Sequence, residues 1–475
     1  MTIVVKDKGL RRLDFDEKRL VNKIKGYANG LNIHADSLAE YIKTVVAQIS
    51  SRSEISFIEI NEAITQNAVD FITDFKNEDD SMNFDKLGNT DFQYIAARAL
   101  QNSLYKRAAK NRSYDASEKY GSYFGLLSTL GEKGLIEPQI FVEYTKEDLD
   151  ELESYIKPER DLLLTYAGIY NMSKRYLITD FDKSVFELPQ ERYMTMAISL
   201  MINEKPDLRI KYVKELYDIL SKQEVTMATP IYKNAGRPDA QLSSCFIGTM
   251  DDDLGNIFET YSDFAQISKQ GGGIGVDVSY LRGEGGSIRG VPGVSHGITG
   301  WLKILNNICT SVDQLGSRNG AIAAYLDTFH TGINDFLELR LNTGDQTKRA
   351  HELFTGINIP DLFMQQVEKR GDWYLFDPHE TKTVLGYYLK DFYDEIKWDG
   401  KTQPSKENNA FTYHYFEAVD SNELKLKKRI PAIDLMKKIM KAQIETGMPY
   451  MFYRDTVNRE NPNKHKGMIQ SSNLC

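Results

Sequence analysis

Apolar residues recur at helical spacing through the first hundred or so residues of the chain. A short β-branched run at residues 2–5 predicts a strand. From about Asp16, apolar side chains three and four residues apart predict a helix that ends near Gly30. A second helix is predicted after Ser56, and a third from Phe92 onward. The pattern therefore predicts a compact first region at residues 1–107.

The pattern changes twice along the rest of the chain. Residues 108–240 follow a mostly helical pattern, are rich in tyrosine and contain few glycines. After residue 230 come short apolar runs interrupted by glycine, such as 245–248 and 271–276, with helical patterns such as 300–312 between them. Strands that alternate with helices are typical of an α/β domain with a parallel sheet. The sequence therefore predicts an α/β region at 241–475.

Length and composition narrow the class of protein. A chain of 475 residues is long enough for about three domains. No window approaches the length of a membrane-spanning apolar run, and the first residues lack the apolar stretch of a signal peptide. The net charge of −9 gives no indication of the excess of basic residues that is typical of nucleic-acid-binding proteins. Three cysteines are too few for a disulfide framework, which favours a reducing cytoplasm.

The residues alone leave the chemistry open. The seven histidines form no i,i+4 pair and join no cysteine at zinc spacing, so no metal site is predicted on this chain's own residues. The glycine run 271–275 permits close approach to a phosphate or sugar, and an ordinary tight turn is the alternative. Cys245 is either a buried structural thiol or a reactive one. Cys309 lies among apolar residues at helical spacing and is predicted to be in the core.

Several short motifs occur in the order found in the catalytic subunit of ribonucleotide reductase. They are Ala228-Thr229-Pro230, Ser243-Ser244-Cys245, the glycine run 271–275 and Ser472-Asn473-Leu474-Cys475. The segment 314–321 resembles the loop that links the effector and substrate sites in this family, and the segments 354–364 and 446–455 resemble the class I large subunit closely. The resemblance extends over nearly the whole chain.

The resemblance implies three structural regions. They are an ATP-cone at 1–107, a helical domain at 108–240, and the first half of a ten-stranded α/β barrel at 241–475. The ATP-cone would bind ATP or dATP with Mg²⁺, and its basic side chains would contact the phosphates. Its expected nucleotide-binding residues are Lys6, Arg19, Ser56, Asn61 and Lys106. Residues 7–9 depart from the family's order, so nucleotide binding here and the direction of its regulation stay open.

The resemblance also implies thiyl-radical reduction of a ribonucleoside diphosphate to the 2′-deoxyribonucleotide. A thiyl radical removes a hydrogen from C3′, and a pair of thiols supplies two electrons by closing a disulfide. Cys475 would be the radical cysteine, Cys245 one of the reducing pair, and Asn473 a partner of the sugar. The expected substrate-binding residues are Thr229, Ser244, Gly272, Gly273 and Asn473.

An allosteric site and several partners follow from the same resemblance. A deoxynucleoside triphosphate with Mg²⁺ would select which base is reduced, and an arginine can pair with its phosphates. The expected effector residues are Asp252, Leu254, Arg282, Ile288, Gln314 and Arg318. Gln314 and Arg318 would couple the effector to the substrate base. The implied partners are a radical-generating small subunit with a dimetal centre, thioredoxin or glutaredoxin as reductant, and further subunits in an oligomer; nucleic acid and membrane are not expected.

Residues that the family uses after its radical cysteine are not among these 475. They include a catalytic glutamate and a second reducing cysteine, which Cys309 does not match. The resemblance therefore implies that this chain cannot run the full reaction alone. Three explanations stay open: a split subunit that a C-terminal part complements, a truncation, or a relic that only binds nucleotides. We expect the first, and with it a complementing C-terminal part. A half barrel would expose a sheet edge and an apolar face, so poor solubility or oligomerisation of the chain alone is expected.

Two other functions remain open at this point. One is a regulatory nucleotide-binding protein without catalysis, which a Cys475→Ser substitution in the assembled system would leave unaffected. The other is a fragment of a glycyl-radical or cobalamin-dependent reductase. The segments 354–364 and 446–455 favour class I over that alternative.

Overall fold

The computed structural model describes residues 3–6, 11–72, 89–312 and 320–473. The chain divides into two compact units, Met1–Leu242 and Ser243–Cys475, which are described separately below. Among the described helices, none is long and apolar enough to cross a membrane.

The first unit begins with a small mixed sheet in the order β2-β1-β3. Strand β1 (Ile3–Lys6) pairs antiparallel with β2 (Arg11–Asp14) and parallel with β3 (Glu54–Ser56). Four helices share a hydrophobic core with this sheet: α1 (Glu17–Ala28), α2 (Ala35–Ser50), α3 (Phe57–Ile72) and α4 (Phe92–Arg112). The sequence pattern predicted three of these helices and missed α2, whose buried residues Tyr41, Val45 and Ile49 are four residues apart.

Helix α4 belongs to two cores at once. Phe92, Ile95 and Ala99 pack in the core of the small sheet, whereas Leu104 and Ala108 pack in a second, larger core. The boundary expected at residue 107 therefore falls within a continuous helix. Seven further helices surround the second core: α5 (Tyr123–Glu132), α6 (Ile140–Glu143), α7 (Lys146–Tyr155), α8 (Tyr166–Asn171), α9 (Pro189–Leu200), α10 (Pro206–Ser221) and α11 (Thr229–Asn234).

The second unit is built on five parallel strands in the order β10-β7-β6-β5-β4. These strands are β4 (Cys245–Thr249), β5 (Gly273–Asp277), β6 (Ala321–Asp327), β7 (Phe354–Ile359) and β10 (Tyr450–Tyr453). A separate antiparallel pair consists of β8 (Asp372–Leu375) and β9 (Lys428–Pro431). The prediction of an α/β fold with parallel strands is confirmed.

Among the described residues of this unit, seven α-helices connect these strands and an eighth follows β10. They are α12 (Leu254–Lys269), α13 (Thr299–Ser311), α14 (Ile333–Glu338), α15 (Asp361–Lys369), α16 (Pro378–Leu385), α17 (Ala410–Asp420), α18 (Ala432–Thr446) and α19 (Arg454–Arg459). One face of the sheet packs against a hydrophobic core that includes Ile274, Leu326 and Ile357. Cys309 lies in this core, where burial raises its thiol pKa, as the sequence predicted for a core residue.

Candidate functional site

The second face of the sheet is lined by the alternate residues of each strand. On β5 these are Gly273, Gly275 and Asp277, because side chains in a strand alternate between the two faces. The strand register places Cys245 beside Gly273 and Ile247 beside Gly275. The side chain of Ile247 is 57% exposed, so this part of the face is open.

A segment at residues 469–473 lies across the open face at Gly275. A Cβ atom added to Gly275 would come 1.9 Å from the carbonyl oxygen of Ser472 and 3.0 Å from the Cα of Asn473. The hydroxyl of Ser471 also donates to the carbonyl oxygen of Gly275 at 3.4 Å. Only glycine permits this close approach of backbone to backbone.

Amide side chains from two other elements hold the start of this segment. Asn458 bonds Ile469 reciprocally, accepting from its N–H at 2.8 Å and donating to its carbonyl at 3.0 Å. Asn358, at the end of β7, donates to the carbonyl oxygen of Gln470 at 3.0 Å. The segment is therefore fixed to the protein by its backbone as well as by its side chains.

Asn473 lies at the end of the described segment with an unused donor. Its side-chain nitrogen Nδ2 is buried and has no hydrogen-bond partner in the described part of the chain. A buried donor without a partner costs free energy, so such a group indicates a position that a ligand or a water satisfies.

The predicted reducing cysteine is accessible. Cys245 is exposed, and its sulfur lies 3.2 Å from the hydroxyl of the buried residue Ser244. The Ser244 carbonyl accepts from the N–H of Gly273 at 2.7 Å. A side chain on Gly272 would meet Ile267 within 2.6 Å, so this glycine is required for packing. The structure thus decides against a buried structural role for Cys245 and brings it together with Ser244 and Gly273.

Buried ion pairs lie at the carboxyl ends of the strands, beneath the segment. Asp277 of β5 pairs with Lys390, and Asp327 of β6 pairs with Arg454 at 2.7 Å. Burial raises the pKa of Asp327, and the Arg454 guanidinium opposes this rise. Ser279 joins the two carboxylate-bearing strands, since its hydroxyl donates to Asp277 at 2.7 Å and accepts from the Asp327 N–H at 3.0 Å. The sequence analysis did not predict these residues, because a strand-end aspartate and a loop lysine carry no periodicity.

Two of the four described effector residues contact each other. Asp252 accepts from the guanidinium of Arg282 at 2.6 Å, and burial raises the Asp252 pKa. Leu254, the first residue of α12, is 61% exposed, and Ile288 is 44% exposed. The charged pair therefore has an exposed apolar residue within a few positions of each of its members in the sequence, Leu254 after Asp252 and Ile288 after Arg282.

Three cations in the first unit lie near one another: Arg19, Lys23 and Lys106, here called the cation cluster. The ammonium groups of Lys23 and Lys106 lie 4.7 and 3.9 Å from the centroid of the Phe57 ring. Lys23 donates to Asn61 at 2.7 Å. Burial, followed by the charges of Lys106 and Arg19, lowers the pKa of Lys23 to about 8. Lys23 was missed by the sequence analysis, because a lysine inside a helix predicts a solvated position.

The remaining predicted site residues either belong to neither of these two groups of residues or fall outside the described part of the chain. Ser56 caps α3, since its hydroxyl accepts from the Glu59 N–H and its own N–H donates to the Glu59 carboxylate. Thr229 is exposed at the start of α11. Lys6 belongs to β1, but its side chain is outside the described part. Gln314, Arg318 and Cys475 also lie outside the described residues.

Two family models match two successive regions of this chain. The ribonucleotide reductase all-alpha domain matches residues 162–240, and the ribonucleotide reductase barrel domain matches residues 243–475. The two matches together cover well over half of the chain.

Several curated relatives are described as ribonucleoside-diphosphate reductase subunits. Ribonucleoside-diphosphate reductase subunit alpha of Treponema pallidum is 40% identical over 356 residues, which cover 74% of this chain and 40% of the relative. The subunit alpha of Helicobacter pylori is 35% identical over 478 residues, covering 100% of this chain and 54% of the relative. That of Synechocystis is 36% identical over 385 residues, covering 81% and 47%. The chain thus spans about half the length of these relatives. By both domain matches and these identities, it belongs to the family of ribonucleotide reductase large subunits.

Proposed function

We propose that this chain binds a ribonucleoside diphosphate on the open face of its parallel sheet and takes part in its reduction to the 2′-deoxyribonucleotide. The observation that carries the proposal is the buried, unpartnered Nδ2 of Asn473. The backbone of Asn473 lies against Gly275 of β5, the strand that pairs with the strand of the exposed Cys245. A sugar hydroxyl would satisfy that donor. The hydroxyl of Ser244 would contact the rest of the substrate, and Gly273, which has no side chain, would let the substrate approach the strand closely.

The chemistry assigned to Cys245 is that of a two-electron donor. Replacement of the 2′-hydroxyl by hydrogen, with release of water, requires two protons and two electrons, and two thiols provide both when their sulfurs form a disulfide. An exposed thiol can give up its proton and reach a second sulfur, whereas a buried thiol cannot. Cys475 would carry the thiyl radical that removes the C3′ hydrogen and later returns it.

Cys309 does not fit the role of the second reducing thiol. Its sulfur donates to the carbonyl oxygen of Gly320 at 3.0 Å and lies in the core on the helix-covered face. Cys245 lies on the opposite face, and a disulfide needs its Cα atoms within about 7 Å. We therefore assign the second thiol, together with the other catalytic groups, to a complementing part that corresponds to the remaining length of the relatives.

The other partners follow from the proposed reaction. A small subunit with a dimetal centre would supply the radical, and thioredoxin or glutaredoxin would reduce the disulfide. A cytoplasmic location is consistent with this need for free thiols. An oligomer of large subunits completes the proposed assembly.

The effector site is proposed at Asp252 and Arg282. A deoxynucleoside triphosphate with Mg²⁺ would place its phosphates at Arg282, and the exposed apolar side chains of Leu254 and Ile288 would contact its base. Gln314 and Arg318 keep the coupling role expected from their positions in the sequence.

ATP or dATP with Mg²⁺ is proposed to bind at the cation cluster. Three cations converge there, and the lowered pKa of Lys23 reflects in part their mutual repulsion. A polyphosphate would relieve that repulsion and form charge-assisted hydrogen bonds. Lys6, Ser56 and Asn61 keep their predicted contacts in this proposal.

Binding of CDP to the chain, measured by isothermal titration calorimetry, tests the substrate site. The Asn473→Ala variant should bind CDP about tenfold more weakly, because it loses a hydrogen bond in a partly buried site. Asn307→Ala, an exposed residue of α13, is the matched control and should bind within about twofold of the wild type. Equal CDP affinities for wild type and Asn473→Ala would contradict the proposal.

A regulatory protein without catalysis is the second candidate, and the cation cluster favours it, because nucleotide binding there needs no thiol. Production of dCDP from CDP in the holoenzyme, assembled with the complementing part and the small subunit, separates the two functions. The substitution Cys245→Ser should abolish turnover if this chain provides a reducing thiol. A regulator would retain full turnover with Cys245→Ser and lose it only with substitutions in the cation cluster.

A further inference from the structure

Lys390 is a buried lysine that neither the proposed chemistry nor either nucleotide site uses. It is 3% exposed and lies in a single turn of 3₁₀ helix at Leu389–Asp391. Lysine is almost never this buried unless its charge is paired. Its ammonium group has three donors, so three directions around the nitrogen must be accounted for.

All three directions are occupied. The ammonium pairs with the carboxylate of Asp277, donates to the side-chain oxygen of Gln470, and lies 3.4 Å from the centroid of the Tyr280 ring. The Tyr280 hydroxyl donates to Asp391 at 2.6 Å and also shares a hydrogen bond with the Gln470 side chain. The amide of Gln470 is therefore held by two separate side chains.

The backbone around Lys390 is fixed as well. Its carbonyl oxygen accepts from the guanidinium of Arg454 at 2.6 Å, and the same guanidinium pairs with Asp327 of β6. Lys390 is thus connected to two strands of the sheet, through Asp277 to β5 and through Arg454 to β6. The sheet itself sets the position of its ammonium group.

Gln470 is the first point at which the segment 469–473 meets the sheet. Asn358 holds its backbone and Lys390 holds its side chain. Two residues later, Ser472 lies on Gly275, which is on the same strand as Asp277. Strand β5 therefore contacts the segment directly at Gly275 and, through Lys390, at Gln470.

We propose that Lys390 is a positioning residue, which fixes Gln470 so that Asn473 lies over Gly275 with its amide directed to the substrate. Buried ion pairs often contribute little net stability, so geometry rather than stability accounts for a buried lysine here. The part of this proposal that concerns Asn473 and substrate rests on the proposed function. The part that concerns the segment does not.

Hydrogen–deuterium exchange in the complete 475-residue chain tests the positioning directly. The Gln470→Met variant removes the acceptor and leaves the Lys390–Asp277 pair intact, so the fold is not put at risk. Amides of residues 467–473 should exchange about tenfold faster in Gln470→Met, because a hydrogen bond to a charged group is lost. The peptide covering β6 should exchange at the wild-type rate. Gln470→Glu keeps an acceptor for Lys390 and should restore slow exchange to within about twofold of wild type.

Nucleotide affinities give the second measurement. Gln470→Met should weaken CDP binding by about fivefold to tenfold and leave dTTP binding in the absence of CDP within about twofold of wild type, because in the described part of the chain neither Asp252 nor Arg282 hydrogen-bonds to Gln470 or Lys390. Lys390→Met should reproduce the effect if the variant folds. Unchanged exchange of 467–473 in Gln470→Met, or failure of Gln470→Glu to restore it, would overturn the proposal. If wild type itself fails to bind CDP while the exchange results hold, the proposed function fails and the positioning of the segment stands.

Discussion

The contact between Gly275 and Ser472 gives the sharpest test of the structure. In Gly275→Ala, the new methyl group would lie 1.9 Å from the Ser472 carbonyl oxygen. Carbon and oxygen atoms in contact are normally at least about 3.3 Å apart, so one of the two backbones must move by about 1.4 Å.

The segment rather than the strand should move. Strand β5 pairs on both sides, with β4 and β6, and its helix-facing residues Ile274 and Val276 are fully buried. The segment 469–473 is held by only a few hydrogen bonds. Displacing it should cost about 1–3 kcal/mol of unfolding free energy, the usual range for an overpacked site, and the sheet should remain folded.

Three measurements follow the displacement. Thermal unfolding should show the modest loss of stability, exchange of residues 467–473 should accelerate at least about tenfold, and CDP affinity should fall at least about tenfold. Gly300→Ala in α13 is the control, because its Cβ would meet nothing within 4 Å. Alanine there should stabilise the helix by about 0.5–1 kcal/mol. Wild-type exchange and CDP affinity in Gly275→Ala would refute the placement of the segment on β5.

Other predictions concern the two charged sites and the thiols. The pKa of Lys23 is lowered to about 8, so between pH 8 and 10.5 the folded state binds fewer protons at this residue than the unfolded state. The unfolding free energy of wild type, compared with that of Lys23→Met, should therefore rise with pH across that range, as measured by urea titrations. Arg282→Gln should weaken dTTP binding about tenfold without changing CDP binding in the absence of effector, as measured by calorimetry, because the cation that would pair with the phosphates is lost. A thiol reagent should modify Cys245 in the folded chain much faster than Cys309, and equal rates determined by mass spectrometry of tryptic peptides would contradict the burial of Cys309.

Much of the fold could be predicted from the spacing of apolar residues. Helices α1 and α3 begin at side chains that cap them, Asp16 and Ser56, so the pattern had a clear starting point. Helix α2 has the same apolar spacing but follows His34, whose side chain makes no capping bond. Without a cap to mark its start, the helix was missed.

Residues of the candidate site could be predicted only where they belong to a short sequence motif. Asn473 and Cys245 lie in recognisable sequence motifs. The fold pairs the strand of Cys245 with β5, and Asn473 lies against Gly275 of β5. Lys390 lies in one turn of 3₁₀ helix, and its partners Asp277 and Gln470 are far away in the sequence. Such a contact is created by strand order and loop geometry, neither of which has a local pattern.

The shared helix α4 determines where the first region can be separated from the rest. Cutting the chain at residue 107 would remove the last turn and a half of a helix and expose the buried side chain of Tyr105, which packs in the second core. The helix ends naturally at Ser113, whose left-handed backbone (φ 58°) closes it. Heating should melt both cores in one cooperative transition, since neither can lose α4 and keep its packing. A nucleotide bound beside Lys106 would then protect the tyrosine-rich helices beyond it from unfolding, without touching any of them.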